Sequence, residues 1–181
     1  MIGILLGFLP WILYFVFSDP QHVLMGTLLA LVSFVITGRR GLAQRKILDW
    51  VTLLFFLSLL LAIGLGEREA VARYGFLASG LALTLTAYGS LLFGVPFTLQ
   101  YARDSVPVEH QSSPVFLRIN QILTAVWGTS FLLQTAISLA NLEKIGEASL
   151  MNELLPNALT ALTVAFTSKF PDWYASRQHP G

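Results

Sequence analysis

The chain has 181 residues, of which 55% are hydrophobic and 12% charged, about half of the roughly 25% charged share usual in a soluble domain. A net charge of +1 excludes the basic stripe that grips a nucleic-acid backbone, and the lack of cysteine excludes disulfides, thiolate metal sites and cysteine nucleophiles. Several apolar runs approach the ~20 residues that cross a ~30 Å hydrocarbon core. The expected fold is therefore all-α: a polytopic membrane protein with six transmembrane helices in one bundle, a single domain over 1–181.

The first helix is expected over 1–17, with Pro10 inside it and Trp11 and Tyr14 on the following turn. It has no basic flank and no small-residue cleavage site, so it reads as a retained span rather than a leader. Ser18-Asp19-Pro20 reads as a turn, with Asp19 capping a second helix over 20–37 that opens on Pro20 and stops at Gly38. Arg39, Arg40, Arg45 and Lys46 follow as a basic loop. The third helix, 47–65, carries no charge beyond Asp49 near its start, and Gly64 and Gly66 end it.

After the charge-balanced loop GEREAVAR comes a fourth helix, 74–95. Gly75 with Ser79, and Ala78 with Ala82, have the spacing that lets helix backbones approach closely, which places this helix in the middle of the bundle. The segment 96–113 is polar, and its TLQYARD run reads as one or two amphipathic turns lying at the membrane interface. Ser113 and Pro114 then open a fifth helix over 114–141, ~42 Å long. That exceeds the hydrocarbon, so Arg118 is expected to snorkel into the headgroups. The loop EKIGEASLMNE leads to a sixth helix, 154–170, and Trp173 and Tyr174 beyond it read as an interfacial anchor.

Orientation follows from the basic residues. Arg39, Arg40, Arg45, Lys46, Arg103, Arg118, Lys169 and Arg177 fall on one side of a six-helix layout, and Arg68, Arg73 and Lys144 on the other. The richer side faces the cytoplasm, which puts both termini and the 96–113 segment there.

Chemistry-bearing residues concentrate between Gly94 and Gly128. Arg103, Asp104, Glu109 and Arg118 offer two ion pairs, either as a loosely paired solvated loop or, with Gln100, as a gate or partner-docking surface. In the fifth helix Asn120, Thr124, Trp127, Phe131, Gln134, Ser138 and Asn141 recur at steps of three and four, hence on one face. That stripe is either interhelical glue or the wall of a hydrated path. His22, His110 and His179 lie in separate loops and cannot supply a metal cluster. No phosphate loop, nucleophile elbow or paired carboxylate is present, so neither enzyme activity nor a cofactor is expected. The expected partners are the bilayer itself, anionic lipid at Arg39, Arg40, Arg45 and Lys46, and another membrane protein or a second copy.

Phe8-Leu9-Pro10 followed by Tyr14-Phe15, the basic loop after the second helix, Pro96, and a helix bearing Arg118, Asn120, Trp127, Phe131 and Asn141 give a layout that resembles the bacterial septation protein A family of small inner-membrane proteins. The LQYARDSVPVEHQSSP run is more polar than its counterpart there, and the gap from Asn120 to Trp127 is longer. The resemblance implies a non-enzymatic scaffold or envelope-maintenance role associated with division. The alternative is a small transporter or channel built from a 3+3 inverted repeat, for which LLGFLP and LLFGVP are the candidate repeated elements.

Overall fold

A computed structural model describes residues 2–18, 21–142 and 154–178. Among them there is no strand; the elements are α1 (Ile2–Phe17), α2 (Val23–Thr37), α3 (Arg39–Ala43), α4 (Ile47–Gly64), α5 (Arg68–Leu92), α6 (Phe97–Ala102), α7 (Pro114–Ala140) and α8 (Leu155–Gln178), with 3-10 turns at Arg103–Ser105 and Val108–His110. Three of these, α4, α5 and α7, are long and apolar enough to cross a membrane. The apolar helices α1 and α2 are shorter, at 16 and 15 residues.

Boundaries differ from the sequence expectation where backbone bonds outrank composition. The second helix starts at Val23 rather than at 20, with His22 as the residue before it; the Asp19-Pro20 cap lies outside the described residues, as does the loop 143–153. The basic loop contains the short helix α3, because Gly38 stays in a right-handed helical conformation and its carbonyl accepts the Leu42 amide at 2.9 Å. α5 begins at Arg68, absorbing most of GEREAVAR, and ends at Leu92. Gly94 then takes a positive φ of +72°, and the Val95 amide returns to the Ser90 carbonyl at 2.9 Å. α4 closes at Gly64 and α7 at Ala140, each one residue short of expectation. α8 runs on through Pro171, so Trp173 and Tyr174 are helical rather than beyond the helix.

α5 holds the middle position, packing against α2, α4, α6 and α7. Its small residues make that approach feasible. A Cβ on Gly75 would lie 2.1 Å from the Tyr14 hydroxyl, and one on Gly80 would lie 2.3 Å from Thr135 Oγ1. Aromatic rings fill the layer beside it. Phe8 stacks on Trp127 at 4.5 Å between centroids, Trp11 stacks on Phe55 at 4.9 Å, and Tyr14 meets Phe56 edge-on at 5.4 Å. Such pairs contribute about 0.5–1.5 kcal/mol each beyond the area they bury.

α8 runs antiparallel to α7. Trp127 Nε1 donates to Thr167 Oγ1 at 3.1 Å, and one turn-pair further on Gln134 Nε2 donates weakly to Thr160 Oγ1 at 3.4 Å. Phe170 packs with Ile119 and Leu123. The start of α1, the start of α4, the end of α5 and the start of α7 converge on α6 at one end of the bundle, and α2 and α8 finish at that end too.

Candidate functional site

α6 is the element that the polar residues of the chain gather around. It supplies the one or two turns expected at TLQYARD, but with Phe97, Thr98, Leu99 and Tyr101 buried against the bundle. The reason is geometric. Gly94 and Pro96 reverse the chain after α5, and the first amide of α6, on Phe97, donates to Ser90 Oγ at 3.0 Å. The helix is thereby folded back against α1, α5 and α7.

On its α4 side, α6 makes a layered polar contact. Tyr101 donates its hydroxyl to Asp49 Oδ2 at 2.6 Å, Gln100 Oε1 accepts the Ile47 amide at 2.8 Å, and Lys46 Nζ donates to Asp104 Oδ2 at 2.5 Å. The Lys46 ammonium also stands 4.5 Å from the centroid of the Tyr101 ring, a cation–π placement. Burial, and next the facing Asp49 carboxylate, push the Tyr101 phenol above its ordinary range, so it remains a proton donor. Gly41 closes the far side: a Cβ there would lie 2.0 Å from Asp49 Oδ2. Gly7 does the same on α1, where a Cβ would meet the Tyr101 ring at 3.2 Å.

On its α7 side, Thr98 Oγ1 donates to the Asn120 carbonyl at 2.9 Å and lies 2.8 Å from Thr124 Oγ1. Asn120 Nδ2 turns back to the Phe116 carbonyl at 2.9 Å, which leaves its Oδ1 buried without a partner. The expected stripe is buried along its first half, whereas Gln134, Ser138 and Asn141 are half-buried. Asn120, Thr124, Trp127 and Phe131 are buried together, and Gln134, half-buried, donates to Ser130 Oγ at 3.1 Å. The groups these residues meet are on protein: Thr98 of α6, Thr167 and Thr160 of α8, and Phe8 of α1.

The expected ion pairs rearrange. Asp104 does not join Arg103 or Arg118; it pairs with Lys46, 58 residues earlier. Arg118 is exposed and reaches Gln121 Oε1 at 3.5 Å, Glu109 is exposed, and Arg103 is exposed while its carbonyl accepts from Gln111 at 2.9 Å. Lys46, assigned from the sequence to the lipid-facing patch with Arg39, Arg40 and Arg45, is buried and engaged. Asp49, Gly41 and Thr98 had not been singled out for a site. The signal was present for Asp49, since a carboxylate at the head of an apolar helix requires a partner, but Tyr101 lies 52 residues away. The two elements proposed as a repeat are not equivalent either: Pro10 sits inside α1, whereas Pro96 lies between α5 and α6.

Among the described residues no group of three His, Asp or Glu side chains is placed to hold a metal ion. Comparison with protein-family models, curated proteins and solved structures returns no match to this chain.

Proposed function

We propose that this is a six-span, non-enzymatic protein of a bacterial inner membrane, with both termini and the α6 end in the cytoplasm, acting as a scaffold in envelope maintenance of the septation protein A type. The observation that carries the reading is that the polar stripe of α7 is spent on protein partners. Thr124 meets Thr98 of α6, Trp127 donates to Thr167 of α8 and Gln134 weakly to Thr160 of α8, while the Asn120 side chain bonds within α7 and its backbone carbonyl accepts from Thr98. Polar side chains used in this way hold helices together, at about 0.6 kcal/mol per bond on average. A pathway would instead leave them facing water.

In this reading α1, α2 and the less apolar α8 are counted as spans beside the three membrane-length helices; the alternating directions of the six helices, with α1's start and α8's end on one side, support it. The shorter α1 and α2 then require local thinning of the bilayer or anchoring by flanking residues.

The test is flux. Proteoliposomes containing the purified protein should be no leakier to small ions and sugars than empty vesicles, and Gln134→Leu should lower thermal stability in detergent without altering permeability. A protein-dependent flux changed by Gln134→Leu would overturn the scaffold reading and establish the 3+3 transporter alternative.

A further inference from the structure

The turn between α2 and α4 divides its four basic residues into two jobs. Lys46 is withdrawn into the bundle against Asp104, while Arg39, Arg40 and Arg45 are exposed. Their side chains make no hydrogen bond or ion pair with another described residue. Elsewhere Arg68 reaches the Gln21 carbonyl, Arg73 lies over Tyr74 and Arg177 over Trp173. Two carboxylates beside this turn, Asp49 and Asp104, are already taken by Tyr101 and Lys46. Among the described residues three cations are thus left without an anionic partner in one compact turn, closed by Leu42 N to Gly38 O at 2.9 Å and Lys46 N to Gly41 O at 2.9 Å.

Two further features sit with them. Arg45 has a φ of 57°, a left-handed conformation that glycine adopts freely and that other residues adopt only at a cost. A cation is held at a position where glycine would be relaxed. Beneath the turn, Val32, Val35 and Ile36 are exposed at 59%, 49% and 75%. They precede Arg39 and Arg40 by three to eight positions of nearly continuous helix, so an apolar strip on the outside of α2 leads up to the arginines. A cationic cap over an apolar strip has the chemistry of a phospholipid turned inside out.

We propose that residues 38–46 form a binding site for the headgroup of an anionic phospholipid, with its acyl chains lying along Val32, Val35 and Ile36. The site rests on the membrane reading and adds a specific lipid class to it. Arg39, Arg40 and Arg45 supply the phosphate contacts, and Lys46, pinned by Asp104, fixes the turn that presents them. A cluster of this kind at the cytoplasmic face attracts anionic lipid through its summed positive charge.

The test uses the full chain in nanodiscs of phosphatidylcholine alone or with added phosphatidylglycerol, read by thermal unfolding and by native mass spectrometry of retained lipid. Phosphatidylglycerol should raise Tm by several degrees and stay bound as discrete adducts. R39Q/R40Q/R45Q should abolish both effects while unfolding as the wild type does in phosphatidylcholine, and R68Q/R73Q at the opposite end should retain them. If the triple variant fails to fold, R45Q alone should lower adduct occupancy. Equal response to both lipids, the same shift from inorganic phosphate, or adducts surviving R39Q/R40Q/R45Q would each overturn the site. Folding in phosphatidylcholine would still leave the membrane reading intact.

Discussion

The Lys46 side chain is 7% exposed and that of Asp104 30%, so the two ends of one ion pair stand in different surroundings. Asp104→Asn leaves an ammonium buried with the Tyr101 ring as its remaining support, a loss of about 3 kcal/mol for an uncompensated buried charge. Lys46→Met leaves a carboxylate at the rim that water can reach, and the loss falls to about 1 kcal/mol. Unfolding in detergent should rank Asp104→Asn clearly below Lys46→Met, and equal losses would mean that the pair is solvated. Tyr101→Phe should cost about 1–3 kcal/mol by stranding an Asp49 oxygen. None of this could be derived from residue spacing. Lys46 stands among arginines in the chain, and its partner is set by how α6 folds back, 58 residues later.

At the level of elements, α5 depends on glycine where it crosses α1 and α7. Gly75→Leu forces a side chain into the Tyr14 hydroxyl, whereas Ala78, half-buried, has more room. Gly75→Leu should therefore lower Tm by many degrees and Ala78→Leu by few. The reverse order would place the α1 contact elsewhere. The sequence reading treated both positions alike because small-residue spacing marks a helix face and not which of its members bears the contact. It located α4, α7 and the central place of α5 well, since apolar length and small residues are local properties. It placed one or two helical turns at TLQYARD, where α6 lies, but not their burial, because the run mixes polar and apolar residues as an interfacial turn would. What buries Phe97, Leu99 and Tyr101 is the reversal at Gly94 and the receiving glycines of α1, which are tertiary facts. The polar stripe of α7 was legible from its period, but its partners on α6 and α8 were not.

For the whole molecule, the proposed arrangement has the polar face of α7 sealed by protein and the α6 end on the opposite side of the membrane from the start of α5. The absence of native cysteine lets one labelling experiment test both statements. Single cysteines are placed at Glu69 and Glu109, both exposed, and at Thr124 and Gln134, which are 0% exposed and half-buried respectively. Intact and inverted membrane vesicles are then treated with a small, impermeant, water-soluble thiol reagent. Glu69→Cys should react from the outside alone and Glu109→Cys from the cytoplasmic side alone, while Thr124→Cys and Gln134→Cys stay unmodified from either side. Rapid modification at Thr124 and Gln134 in the folded, membrane-embedded protein, or labelling of Glu69 and Glu109 from the same face, would contradict the account.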